Sequence, residues 1–192
     1  MSYFPIIIVD TETTGLLDSP YVRMIEIGAV MLDAKGREIA SFSSLIKPNL
    51  VDRLDPCVME AMRINRITWD QLEVAPRSGD VRAAFTRWCA LLFPRVAITS
   101  YRLSFDSEII QRAWPGFSEM GSPFAAYCIR EEMRMLYKGH PDRFHLRMIL
   151  ADLNLFTPEP AHRALADARA ASMLLHWIDA QEEANGSAAP GK

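Results

Sequence analysis

With 192 residues, 49% of them hydrophobic, the chain suits one domain with a sizeable core. No apolar stretch approaches the ~20 residues of a membrane span, and the start Met1-Ser2-Tyr3-Phe4 lacks the basic region of a signal peptide, so a cytoplasmic protein with no membrane partner is expected. A formal net charge of -3 argues against a protein that coats nucleic acid by bulk electrostatics, but not against an enzyme acting on it, because clustered carboxylates contribute charge that bound cations locally reverse.

The first element is the apolar run Phe4-Pro5-Ile6-Ile7-Ile8-Val9, which reads as a buried strand. It ends in Asp10 and Glu12, immediately before Thr13-Thr14-Gly15. Side chains two apart on a strand share a face, so the two carboxylates converge. Adjacent acids repel, and a site that keeps both ionised needs a cation, with hard oxygen ligands favouring Mg²⁺ or Mn²⁺. Taken alone, the pair also reads simply as two solvated acids at a strand end.

Met24 to Leu32 reads as a second strand, Asp33-Ala34-Lys35-Gly36 as a turn, and Arg37 to Ile46 as a third strand ended by Lys47-Pro48-Asn49. A loop-rich stretch with short helices is expected from Leu50 to Arg77. Val81, Ala84, Phe85, Trp88, Leu91 and Leu92 follow helical spacing between Gly79 and Phe93. Val96 to Ser100 is a short strand, and Ser104 to Trp114 a helix stopped by Pro115-Gly116. Phe124 to Ile129 is expected as a last strand, followed by helices near Arg130 to Tyr137, His145 to Asn154 and Ala164 to Glu183. Residues 1–183 then form one domain, and 184–192 a disordered tail without core-forming residues. Cys57, Cys89 and Cys128, widely spaced and without a Cys-x-x-Cys pair, are expected to be buried free thiols. The order of elements implies an α/β fold, a mixed five-stranded sheet with helices on both faces, whose ligands bind beyond the strand ends.

Two further acids and a base complete the pattern. Asp106 falls in the first turn of the helix after the short fourth strand, where an acid is ordinarily a dipole partner but, near a sheet edge, could reach across to the first two carboxylates. His162 and Asp167 are five residues apart, about 500° around a helix, so they share no helical face. They share a site if Asp167 is fixed on the helix and His162 is a base on a mobile loop before it.

Asp10-Thr11-Glu12-Thr13-Thr14-Gly15, Phe105-Asp106 and His162-x4-Asp167 together resemble the three motifs of the DEDD superfamily of 3′-to-5′ exonucleases, in its His-type, DnaQ-like (DEDDh) branch. The resemblance spans Ile6 to Leu175 and includes Ile25-Glu26-Ile27-Gly28-Ala29-Val30, Ile46-Lys47-Pro48 and Ile67-Thr68 in order. The sister branch would place tyrosine at position 163, where this chain has Arg163. The resemblance implies a ribonuclease H-like fold and a single exonuclease domain. Two divalent cations would be held by Asp10, Glu12, Asp106 and Asp167, with Asp10 bridging and His162 as general base. Single-stranded DNA or RNA 3′ ends would be the substrate and nucleoside 5′-monophosphates the product.

The resemblance also assigns substrate contacts. Thr13 and Thr14 lie where the backbone meets the terminal 3′-hydroxyl, and Leu16 where an apolar residue wedges between the last bases. Tyr101-Arg102 stands where relatives often have His-Asn; Arg102 suits a phosphate contact, and Tyr101 suits packing more than stacking on a base. Cys128 stands where Thr is common. Arg143, Arg147 and Arg163 are phosphate-contact candidates, and Glu26 has a structural role as its alternative. A polymerase partner or a homodimer fits the branch, as does a catalytically silent, end-binding subunit of the same fold. A haloacid-dehalogenase-like phosphatase would want Asp-x-Asp, and position 12 is Glu.

Overall fold

The computed structural model describes residues 5–90, 96–117, 124, 127–137, 139, 144–157 and 159–187. Strands β1 (Ile6–Thr13), β2 (Met24–Leu32) and β3 (Glu38–Leu45) form an antiparallel meander. Helices α1 (Pro56–Asn65), α2 (Trp69–Val74) and α3 (Ser78–Cys89) follow, then β4 (Ala97–Ser100), α4 (Leu103–Ala113), α5 (Ile129–Leu136), α6 (Leu146–Asp152) and α7 (Ala164–Ser187). β4 pairs parallel to β1, giving the sheet order β3-β2-β1-β4 with β1 inside.

β1 reads as a continuous apolar run because both of its faces are covered. Ile7 and Val9 join a core cluster with Phe85 and Trp88 of α3 and Ile109 and Ile110 of α4. Ile6 and Ile8 join a second cluster with Met133 of α5, Leu150 of α6 and Leu174 and Ile178 of α7. Asp10 and Glu12 continue the even-numbered face and therefore emerge on the α7 side. Short helices start on clear signals: Asp55 accepts from the Cys57 and Val58 amides with Pro56 beside it, and Thr68 and Gln71 form a capping box.

Gly28 is the residue that lets α7 settle beside the acids. It pairs with Asp10 across β1 and β2, and a Cβ there would lie 2.0 Å from the Leu165 backbone nitrogen. Gly28→Ala should push α7 off the sheet and cost about 3 kcal/mol, lowering Tm by roughly 6–12 °C. An unchanged melting curve would show that α7 is not seated there.

Some expectations are corrected. Among the described residues the sheet has four strands, not five: Phe124 forms only an isolated bridge to Ile98, and Ile129 opens α5, where it and Met133 are one helical turn apart and both buried. Residues 118–123, 125 and 126, like Arg143 and part of the expected 79–93 helix, lie outside the described residues. α7 continues through Ser187, into the stretch expected as tail. Cys89 is buried, with its thiol pushed up to about 12 by burial, but Cys57 is exposed on α1 and Cys128 is half-buried. Among the described residues no helix is long and apolar enough to cross a membrane.

Candidate active site

Beyond Val9, β1 has lost its β4 partner, because β4 ends at Ser100. The Thr11 amide would be left unpaired, and Asp106 takes it. Asp106 Oδ1 accepts from Thr11 N at 3.0 Å and from Thr11 Oγ1 at 2.7 Å, in a buried setting. The acid in the first turn of α4 thus reaches around the sheet edge to the strand that carries Asp10 and Glu12. Cys128 fixes the start of that helix: its Sγ accepts from the Leu103 amide at 3.4 Å and donates to Tyr101 O at 3.3 Å.

Asp167 arrives from the opposite layer. Its Oδ2 accepts the His162 amide at 2.9 Å, and its Oδ1 accepts from Arg147 Nε at 2.8 Å and Nη2 at 2.5 Å. His162 is exposed and has φ 62°, a left-handed conformation that the bond to Asp167 helps to hold. Ligand atoms of Glu12, His162 and Asp167 lie within 4.8 Å of one another. Asp10 and Asp106 line the same cleft, which has a volume of 570 Å³ and also contains Tyr101, Arg102 and Arg147. All five acid and base residues expected from the sequence are therefore brought together.

The loop that carries His162 is tied rather than free-swinging. Arg147 Nη1 donates to Thr157 Oγ1 and, at 3.3 Å, to Glu159 O, while the Glu159 carboxylate accepts from Arg169 at 2.5 Å. Behind it, Glu26 has the structural role. It is buried opposite Glu12 on β2, is paired with Arg163 at 2.7 Å, and accepts the Ala164 amide at 3.1 Å, satisfying a free N–H at the start of α7.

Of the expected substrate contacts, Leu16 is 63% exposed, and with Thr13 it lines a second cavity of 510 Å³ that Glu12 joins to the first. Thr14 is buried; its hydroxyl donates to Tyr21 O at 2.6 Å and accepts from the Arg23 amide at 2.8 Å, which locks the following loop. Thr13 Oγ1 donates to Gly15 O at 2.6 Å. Arg102 is exposed in the cleft with its guanidinium over the Phe105 ring. Tyr101 is buried and donates to Phe144 O at 3.1 Å.

Sequence reasoning missed Thr11, His145 and the Arg147–Asp167 pair. Thr11 had a usable signal, since a four-residue β4 is too short to pair the whole of β1. His145 lines the cleft from the residue before α6.

Crowding shows in the protonation of the acids. Burial, then the charges of Asp106, Glu12 and Asp167, hold the Asp10 carboxyl well above the usual carboxylate range. Burial and the charges of Asp167 and Glu26 push Glu12 up to about 8, and burial, opposed by the Thr11 hydrogen bonds, leaves Asp106 at about 6. Acids with raised values keep more protons in the folded than in the unfolded chain, so the stability they give is lost as pH rises. In chelator, Tm should fall as pH rises from about 4, where these carboxyls ionise in the unfolded chain, to about 8, where Glu12 ionises in the folded one. Millimolar Mn²⁺ should flatten that slope, and a flat profile in chelator would contradict the crowding.

The exonuclease family model, RNase_T, matches residues 7–175. The chain is 40% identical over 101 residues to the DNA polymerase III subunit epsilon of Treponema pallidum, an alignment covering 53% of this chain and 42% of that protein. It is 31% identical over 186 residues to an uncharacterized exonuclease, CP81, of Escherichia phage 186, covering 91% and 86% of the two chains. The nuclease domain of 3′hExo, a DEDDh family member solved bound to rAMP, superposes with a TM-score of 0.71 at 19% identity, covering 93% of this chain and 92% of that one. The chain belongs to the exonuclease family that its DnaQ-like motifs resemble.

Proposed function

We propose that the chain is a divalent-cation-dependent 3′-to-5′ exonuclease that hydrolyses the terminal phosphodiester of single-stranded nucleic acid and releases a nucleoside 5′-monophosphate. The carrying observation is the convergence of Glu12, His162 and Asp167 to within 4.8 Å, in one cleft with Asp10 and Asp106. Four acids whose charges oppose one another, two of them with strongly raised protonation, are a donor set suited to hard divalent cations. Asp10, Glu12, Asp106 and Asp167 would hold two of them, Mg²⁺ or Mn²⁺. Bound there, such ions supply Lewis-acid stabilisation of the phosphoryl oxygens and make a water more acidic.

The protein's own groups do the rest. His162, exposed at the cleft, takes a proton from the attacking water as its oxygen bonds to phosphorus. The bond from phosphorus to the 3′ oxygen of the penultimate nucleotide breaks, and that oxygen takes a proton from solvent. The cavity beside Thr13 and Leu16 receives the terminal nucleotide, with Leu16 as the wedge and the backbone around Thr13 and Thr14 facing the 3′-hydroxyl. Arg102 meets a phosphate, and Tyr101 supports the cleft by packing. Likeness to a polymerase III subunit supports a polymerase partner.

The test is release of mononucleotides from 5′-labelled DNA and RNA oligomers in Mg²⁺, Mn²⁺ and chelator. Cation-dependent shortening from the 3′ end is expected. No release from either polymer with either cation would overturn the proposal in favour of a silent end-binding subunit.

A further inference from the structure

The Arg147 guanidinium spends two of its donors on a single oxygen, Asp167 Oδ1, at 2.8 and 2.5 Å. A carboxylate oxygen has two acceptor sites, so the fork fills that oxygen. The His162 amide takes one site of Oδ2 at 2.9 Å, leaving one acceptor site on the carboxylate. The pair is withdrawn from solvent, with side-chain exposures of 24% for Arg147 and 12% for Asp167, so its charge is poorly screened. The remaining Arg147 nitrogen holds Thr157 and Glu159, at the head of the loop that carries His162.

We infer that Arg147 is a built-in counter-cation of Asp167, a positioning residue that steadies the acid and the His162 loop before a divalent ion binds and that opposes the binding of that ion. The inference rests on the proposed cation site. Three other acids, Asp10, Glu12 and Asp106, share the cleft with Asp167, and without a positive partner their charges would drive it outward. The same positive charge repels an incoming Mn²⁺. Arg147 thus trades intrinsic cation affinity for a site that is assembled in advance.

The opposing signs make this testable without an activity assay. Mn²⁺ is titrated into the chelator-stripped full chain, without nucleic acid, and free Mn²⁺ is read by electron paramagnetic resonance. Arg147→Met should bind Mn²⁺ about tenfold more tightly than the parent. Its Tm in chelator should be lower, and the rise on adding Mn²⁺ larger. Arg147→Lys keeps the charge but not the fork, and should keep parental Mn²⁺ affinity while losing Tm. Arg147→Gln provides the same reading as Met should the latter fold poorly. Mn²⁺ affinity unchanged or weakened in the neutral variants would overturn the inference while leaving the cation site in place. Unchanged Mn²⁺ binding in Asp167→Asn would instead remove Asp167 from the cation site, and with it the four-acid site on which the proposed function rests.

Discussion

Asp10→Asn is expected to abolish mononucleotide release, a loss of at least about 10³-fold, while raising the melting temperature in chelator. The two effects share one cause. Asp10 sits among Glu12, Asp106 and Asp167, and burial together with their charges holds its carboxyl well above the ordinary carboxylate range. A neutral amide removes a carboxyl that the folded chain ionises only at a cost, and it removes a ligand that the chemistry needs. Asp167→Asn should be equally inactive but less stable, because it removes the charge that Arg147 is paired with, and its single oxygen cannot accept from both the Arg147 fork and the His162 amide on the other side. Two inactive variants with Tm shifts of opposite sign distinguish a crowded acid from a paired one. Turnover near the parental rate in purified Asp10→Asn would sink the assignment, and a lowered Tm would contradict the crowding.

How much of this was visible in the chain follows from what each residue depends on. β1 was legible because a strand covered on both faces must be apolar throughout, and Asp10 and Glu12 because alternation along a strand fixes their common face. Asp106, His162 and Asp167 were legible as an ordered set, each placed at the start of a helix or just before it. What the sequence hid is tertiary. The Glu26 and Arg163 partners are 137 positions apart, and only the seating of α7 on Gly28 joins them. Cys128 gained a role only once α4 was seen to begin against its sulfur. The left-handed backbone of His162 has no local signature, since histidine is not glycine and the conformation is held by Asp167. Ile129 was misread as the end of a strand because a short apolar run fits strand and helix alike, and with buried Met133 it belongs to α5.

His162→Asn should lower the turnover number by about 10² to 10⁴-fold, the range of a general base, with little change in Mn²⁺ affinity or melting temperature. Asparagine is chosen over alanine because position 162 has φ 62°, a region that asparagine enters at low cost and alanine does not. The backbone amide that anchors Asp167 Oδ2 is kept in either case, so an effect on turnover is not an indirect loss of the acid's position. Proximity to Glu12 and Asp167 gives His162 a second possible role, as a direct cation ligand. The two roles part on measurement. A ligand's loss weakens Mn²⁺ binding in the absence of nucleic acid; a base's loss leaves binding intact and slows only the chemical step. Added imidazole, small enough for a 570 Å³ cleft, should then restore part of the rate in the variant and none in Asp10→Asn. A loss below about threefold would remove His162 from proton transfer, because a positioned base contributes far more than that.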